Sequence, residues 1–256
     1  MRMVFSCYAI CGAGVFRAEN QDNLYIDGVF RHDVSDNSVF RYEKRQQDAG
    51  LFAVADGMGG ESYGELASLA AVQSLGNAEA SAEGMVRYLI EINNNICDLM
   101  EEKGGVRIGS TFAGLHVEGN SAGIVNIGDS RIYLFRSMEL VQLSCDHTLA
   151  QQMVNMGIID KAAADKHHGR HKLTQHLGVF PSEFIIEPHT AHFEVRPDDV
   201  FLICSDGLTD MLDDTMIKTL LEEPTSIADR AEALYGAALR NVGKDNITLI
   251  LLEAVV

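Results

Sequence analysis

Strands and helices are not interleaved in this sequence, and that ordering is what most restricts the fold. Apolar runs of strand length come in groups, at residues 3–10, 24–30 and Leu51–Ala55, then at 109–117, 121–127 and 131–136, and finally at 183–195, 199–204 and 246–254. Within the second group the only connections are Glu118-Gly-Asn120 and Gly128-Asp-Ser130. Links this short favour antiparallel neighbours, because a parallel crossover needs a dozen or more residues. Helical spacing appears in pairs of segments. Residues 62–76 carry Leu66, Leu69 and Ala70, and residues 81–102 carry Met85, Leu89, Ile92, Ile96 and Leu99, a stripe expected to face the core. Residues 213–222 and 226–241 form a second pair, and residues 146–167 read as helical but polar-rich. Residues 31–49 are polar and irregular and are predicted to be a surface excursion. The class is therefore α+β, with antiparallel sheets covered by helices, and the regular βαβ alternation of a doubly wound sheet is absent. At 256 residues with 46% hydrophobic content, one domain spanning 1–256 is expected.

Several strands end or begin on an aspartate. Asp56 follows Leu51–Ala55 and precedes Gly57, Asp129 follows Gly123–Ile127 and Gly128, Asp206 follows Val200–Cys204 and precedes Gly207, and Asp245 precedes the strand from Ile247. One Asp-Gly pair is most simply a turn. Carboxylates repeated at strand ends can instead converge on one edge of a sheet packing, where they would repel strongly unless cations lie between them. Ligation by oxygen alone points to Mg²⁺ or Mn²⁺ rather than Zn²⁺.

Other chemistries fit less well. The net charge of −17 repels nucleic acid and anionic membrane, so neither is an expected partner. The five cysteines show no CxxC pair, which argues against a disulfide framework or a zinc ribbon and fits a reducing cytoplasm. There is no apolar leader followed by a cleavage site and no run of 18 apolar residues, so no membrane span is expected. A GxSxG elbow, a P-loop and an HExxH motif are all missing. The stretch Lys166-His-His-Gly-Arg-His-Lys172 is expected to be a solvated loop, with a grip on a phosphorylated partner as the alternative.

Taken in order, seven short motifs resemble the metal-dependent protein phosphatase family, type 2C: Arg17-Ala-Glu-Asn-Gln-Asp22, Ala55-Asp-Gly-Met-Gly-Gly60, Gly128-Asp-Ser-Arg131, Asp146-His147-Thr148, Leu173-Thr-Gln-His-Leu-Gly178, Ser205-Asp-Gly-Leu208 and Lys244-Asp-Asn-Ile-Thr248. Each is weak alone, but together they span nearly the whole chain. The resemblance implies a central β-sandwich of two antiparallel sheets flanked by helix pairs, four layers in the order αββα, with a flap subdomain at about 147–180. It implies a serine/threonine phosphatase, a phosphoric monoester hydrolase with two Mn²⁺ or Mg²⁺ ions and a possible third.

The resemblance also implies roles. Asp56 would bridge two ions, the Gly57 carbonyl would bind one, Asp206 and Asp245 would hold the other, and Asp22 would ligate or hydrogen-bond their waters. Asp129 with Asp206 would offer the third site, and Arg17 would take the substrate phosphate, since its planar fork suits two oxygens. Asp56, Asp206 and Arg17 would thus be the catalytic set. Two cations sharing a water would bring its pKa toward neutrality for in-line attack. Two departures from the eukaryotic pattern give the chain a bacterial look. Gln21 replaces a glutamate, and Met58, which cannot donate a proton, replaces a histidine, leaving a metal-bound water as the expected donor. The expected partners are phosphorylated proteins and a cognate serine/threonine kinase whose action the enzyme opposes, with the chain itself a monomer. The alternatives are a catalytically silent phosphoprotein-binding regulator and a phosphatase of a partner-switching system.

Overall fold

A computed structural model describes residues 3–46, 49–58 and 63–256 of the chain. Its first strand, β1 (Val4–Gly12), sets the architecture. Phe5, Cys7, Ala9 and Cys11 point into a core between two sheets, while Ile10 points the opposite way into a second core under helices. Period-two alternation buried on both faces is what a central strand of a covered sandwich requires.

The remaining elements follow in chain order. The strands β2 (Asp22–Ile26), β3 (Val29–Phe30), β4 (Phe40–Gln46) and β5 (Ala49–Met58) lead into α1 (Gly64–Gln73) and α2 (Ala82–Glu102). After these come β6 (Gly109–Ser110), β7 (Phe112–Glu118), β8 (Ser121–Ile127), β9 (Arg131–Arg136) and β10 (Glu139–Gln142). Two short helices, α3 (Leu149–Asn155) and α4 (Lys161–Ala164), precede β11 (His189–Glu194) and β12 (Val200–Cys204). The chain closes with α5 (Asp206–Thr209), α6 (Asp214–Leu221), α7 (Ile227–Arg240) and β13 (Ile247–Val255).

The strands form two sheets, one in the order β10-β9-β12-β13-β1-β4 and the other β11-β8-β7-β5-β2-β3, with β6 added beside β5. All their pairings are antiparallel. Phe52, Val54, Leu115 and Ile124 of one sheet meet Phe201, Ile203, Ile250 and Leu252 of the other in the central core. On the outer face of the second sheet, α1 and α2 bury Ala67, Met85, Leu89 and Ile96. On the outer face of the first, α6 and α7 bury Ile217, Leu221, Leu234 and Ala238. The layers are αββα, as the resemblance implies. Side-chain caps fix where the outer helices start: Ser81 accepts from the Gly84 N–H, Asp213 from Met216 and Ser226 from Asp229.

Some sequence expectations are refined. The 31–49 excursion contains the edge strand β4, whose Phe40 and Tyr42 pack against the central core; Arg41, Glu43 and Lys44 around them obscure the alternation. Residues 24–30 divide into β2 and β3 around Asp27 and Gly28, both in the left-handed region. The predicted strand 183–195 shortens to β11. The helix expected over 146–167 divides into α3 and α4. Ser62, the expected start of α1, lies outside the described residues, as do Gly59 and Gly60 of the glycine turn.

Candidate active site

The registers bring one end of the sandwich to a single place. Gly12 lies opposite Ile247, Cys204 opposite Leu249, Arg131 opposite Cys204, and Asp22 opposite Asp56. At this end the chain crosses between sheets, through residues 13–21 from β1 to β2 and through 128–130 from β8 to β9. Arg17 rides on the first crossing and Asp129 on the second. Asp206 opens α5 directly after β12, and Asp245 stands two residues before β13.

The carboxyl groups influence one another strongly. Burial, with the charges of Asp206 and Asp245 added, raises Asp22 to about 7 against the hydrogen bond from the Ser205 hydroxyl. Burial, with Asp210 and Asp245 added, raises Asp206 to about 6. Asp56 rises well above the carboxylate range through burial and the charges of Asp22, Asp206 and Asp129, and Asp129 through burial and the charges of Asp206 and Asp146. Asp22 is 1% exposed, and its Oδ2 accepts from the Ser205 hydroxyl at 2.8 Å, but its buried Oδ1 has no partner. Converging acids with an orphaned buried oxygen form a donor set suited to hard cations, which would supply the missing partner and remove the repulsion.

The backbone around this set is closely built. A Cβ on Gly57 would lie 2.1 Å from the Gly64 carbonyl oxygen and 2.6 Å from that of Gln21, so only glycine lets the end of β5 pass beneath the start of α1. Gly128 has φ +97, and a Cβ there would meet the Thr111 methyl at 2.6 Å. Thr111 receives the Asp56 N–H at 3.0 Å on its hydroxyl, gives its own N–H to the Asp56 carbonyl at 2.9 Å, and touches the Ser130 hydroxyl at 2.7 Å. It thereby ties the Asp56 strand to the crossing that carries Asp129.

Arg17 reaches Asp245 at 2.7 Å with its side chain 53% exposed, so the pair adds little stability but aims the guanidinium toward Asp56 and Asp206, whose charges it feels. Asn246 clamps the Arg17 crossing, donating to the carbonyls of Ala13 (3.2 Å) and Glu19 (2.8 Å) and accepting the Gln21 N–H at 2.8 Å. Part of the 31–49 excursion braces the same region. Buried Arg31 donates to the Asp22 carbonyl at 2.6 Å and the Asp36 carbonyl at 2.7 Å, and Asn37 accepts the Asn20 N–H at 2.9 Å.

A cleft of about 530 Å³ opens beside Asp129 and Asp206 and runs under the segment bearing α3 and α4. Arg131 and Asp146 line it as a fork-to-fork pair, with contacts of 2.7–3.0 Å, and Gln142 donates to Asp146 at 2.7 Å. Both side chains are largely buried, at 24% and 10% exposure. Asp146→Ala would strand the guanidinium and is expected to cost about 3 kcal/mol, read as a lower urea midpoint of unfolding. The His-rich stretch divides. His167 and His168 pack on each other with ring centroids 4.2 Å apart, whereas Arg170 and His171 approach Asp210 at 3.5 and 3.7 Å on the rim of the cleft. His171, Asp206 and Asp210 present donor atoms within 4.8 Å of one another.

All six carboxylate and glycine positions singled out from the sequence thus lie at this end of the sandwich, with Arg17 beside them. Sequence reasoning gave no role to Ser205, Thr248, Thr111, Asn246 or Asp210. The first two and Asn246 are embedded in the quoted motifs, and that adjacency was the available signal.

Comparison with known proteins places these observations in a family. The sequence pattern of Protein phosphatase 2C matches residues 36–241. The serine/threonine protein phosphatase PstP of Mycobacterium tuberculosis is 32% identical over 249 residues, covering 94% of this chain and 43% of that protein. The chain thus spans less than half the length of that relative. The serine/threonine phosphatase stp of Listeria monocytogenes is 33% identical over 238 residues, covering 88% of this chain and 92% of that protein. Among solved structures, the catalytic domain of PstP in complex with two manganese ions superposes with a TM-score of 0.79 at 30% identity, covering 99% of this chain and 100% of that one.

Proposed function

The chain belongs to the protein phosphatase 2C family, and on that premise we propose that it is a metal-dependent serine/threonine phosphatase acting on phosphorylated proteins. The observation that carries the proposal is the set of buried, mutually repelling carboxyls around the unpartnered Asp22 Oδ1. Asp56 and the Gly57 carbonyl, with Asp206 and Asp245, are the groups that would hold two manganese or magnesium ions. Asp22, whose Oδ1 lacks a partner, would ligate these ions or hydrogen-bond their waters, and Asp129 with Asp206 would hold a third ion. When bound, such ions polarise phosphoryl oxygens and lower the pKa of a water for in-line attack.

The chain's own part is positioning. Arg17, aimed across Asp245, receives two phosphate oxygens and orients the ester, and the Thr111–Ser130 contact keeps the Asp56 strand in register with the crossing that carries Asp129. Arg17→Lys keeps the charge but loses the fork. It is expected to raise KM for a phosphothreonine peptide about tenfold while moving kcat less, a split read from steady-state kinetics. The reading is tested by phosphate release from a phosphothreonine peptide with Mn²⁺ and with a chelator. Release that needs the metal supports it, and no release in either condition overturns it.

The finer assignments belong to the same proposal. Action as a monomer is part of the same reading. The five cysteines are free, which supports a reducing cytoplasm, and among the described residues no helix is long and apolar enough to cross a membrane. The chain as a whole reads as one catalytic domain, with residues 147–180 as a flap beside the cleft. A kinase acting on the same proteins would be its counterpart.

A further inference from the structure

Cleavage of a phosphoserine ester expels an alkoxide, a strong base that needs a proton as the bond to phosphorus breaks. Met58, beside the proposed metal ligand Gly57, has none to give. Resting on the phosphatase reading above, we propose that His176 delivers the proton to the departing serine or threonine oxygen.

The placement comes from three short stretches lying side by side. Gly57 and Met58 of β5 pair with Ser110 and Gly109 of β6, and Ser110 bridges in turn to Leu177. His176 is therefore one narrow strand away from the Asp56–Gly57 stretch. Gly109 leaves room between them: a Cβ there would lie 3.0 Å from His176 Nδ1 and 3.4 Å from the Met58 methyl, so both side chains reach the same face of β6. The two line a pocket of about 410 Å³ with Phe184 and the Arg107–Glu183 ion pair.

Protonation geometry agrees. His176 Nδ1 lies 2.8 Å from the Leu177 carbonyl oxygen, which can only accept, so Nδ1 carries hydrogen and Nε2 is the nitrogen free to gain and lose a proton. Phe184 stands edge-on to the ring, with centroids 6.4 Å apart at 90°. Arg107 and Glu183 are the charged groups lining this pocket. The hydrogen bond from Arg107 holds the Glu183 carboxyl below its usual range, so it stays ionised near the imidazole.

In the step, the oxygen–phosphorus bond breaks and its electron pair passes to the serine oxygen. That oxygen takes the proton from His176 Nε2, and the attacking water's oxygen forms the new bond to phosphorus. The neutral imidazole is then reprotonated from water in the pocket, balancing the proton that the attacking water releases.

The experiment compares two esters. p-Nitrophenolate leaves without a proton, whereas a serine alkoxide does not. With His176→Gln, kcat on a phosphoserine peptide is expected to fall about 100-fold while turnover of p-nitrophenyl phosphate and calorimetric Mn²⁺ binding stay unchanged. Equal loss on both substrates, or no loss on the peptide, overturns the role. The wild type gives an independent readout that needs no variant: kcat on the peptide should fall toward alkaline pH more steeply than kcat on p-nitrophenyl phosphate. Coincident profiles would also overturn it. A wild type that hydrolyses neither ester with Mn²⁺ would instead remove the phosphatase reading itself.

Discussion

Asp206→Asn is expected to lower kcat for Mn²⁺-dependent hydrolysis of p-nitrophenyl phosphate by on the order of 1000-fold, equivalent to about 4 kcal/mol of transition-state stabilisation. Asp206 acts electrostatically on Asp22, Asp56 and Asp129 alike. It feels the charges of Asp210 and Asp245, and it borders the cleft under α3 and α4. Asparagine keeps the shape and removes the charge, so the loss measures ligation rather than packing. Calorimetry should show at least one Mn²⁺ site weakened in parallel. Undiminished turnover would remove the two-metal assignment.

Without metal, the protein is expected to be more stable near pH 5 than near pH 7.5, opposite to the usual behaviour of paired carboxylates. Asp22 at about 7 and Asp206 at about 6 both lie above the ordinary aspartate value. Across that interval the folded chain binds more protons than the unfolded one, so stability is retained below about pH 4 and lost as pH rises through 6 and 7. A carboxyl that holds its proton tenfold more tightly in the folded chain than in the unfolded one contributes about 1.4 kcal/mol, and each kcal/mol moves the Tm of a chain this size by roughly 2–4 °C. Added Mn²⁺ should therefore raise the Tm much more at the higher pH. Thermal scans at the two pH values, with chelator and with Mn²⁺, check both statements, and a metal-free Tm that rises with pH would contradict them.

The acids at strand ends were legible because a carboxylate beside glycine at the end of an apolar run stands out in the one-dimensional pattern. Their convergence was not, because it depends on register: Asp22 opposite Asp56 follows from which strands pair, and sequence periodicity leaves that pairing open. The supporting hydroxyls were hidden for another reason. Ser205 and Thr248 are ordinary residues in composition, and their role comes from the two strands β12 and β13 lying side by side. Edge strand β4 was masked by its own polarity, since solvent claims one of its faces. His176 could be read as part of a motif, but its nearness to Met58 exists only through the β6 bridge.

The four central acids come from opposite halves of the sandwich. Asp22 and Asp56 belong to one sheet, and Asp206 and Asp245 flank strands of the other. Ions held among them, as proposed, would act as a clasp between halves that are far apart along the chain. Prising the sheets apart at this end and releasing the ions then become a single event, so the lifetime of the bound metal should report how often the sandwich opens. A clasp of this kind would also close last in assembly, after both sheets exist, so nascent chains would leave these acids unpaired until the final strand docks.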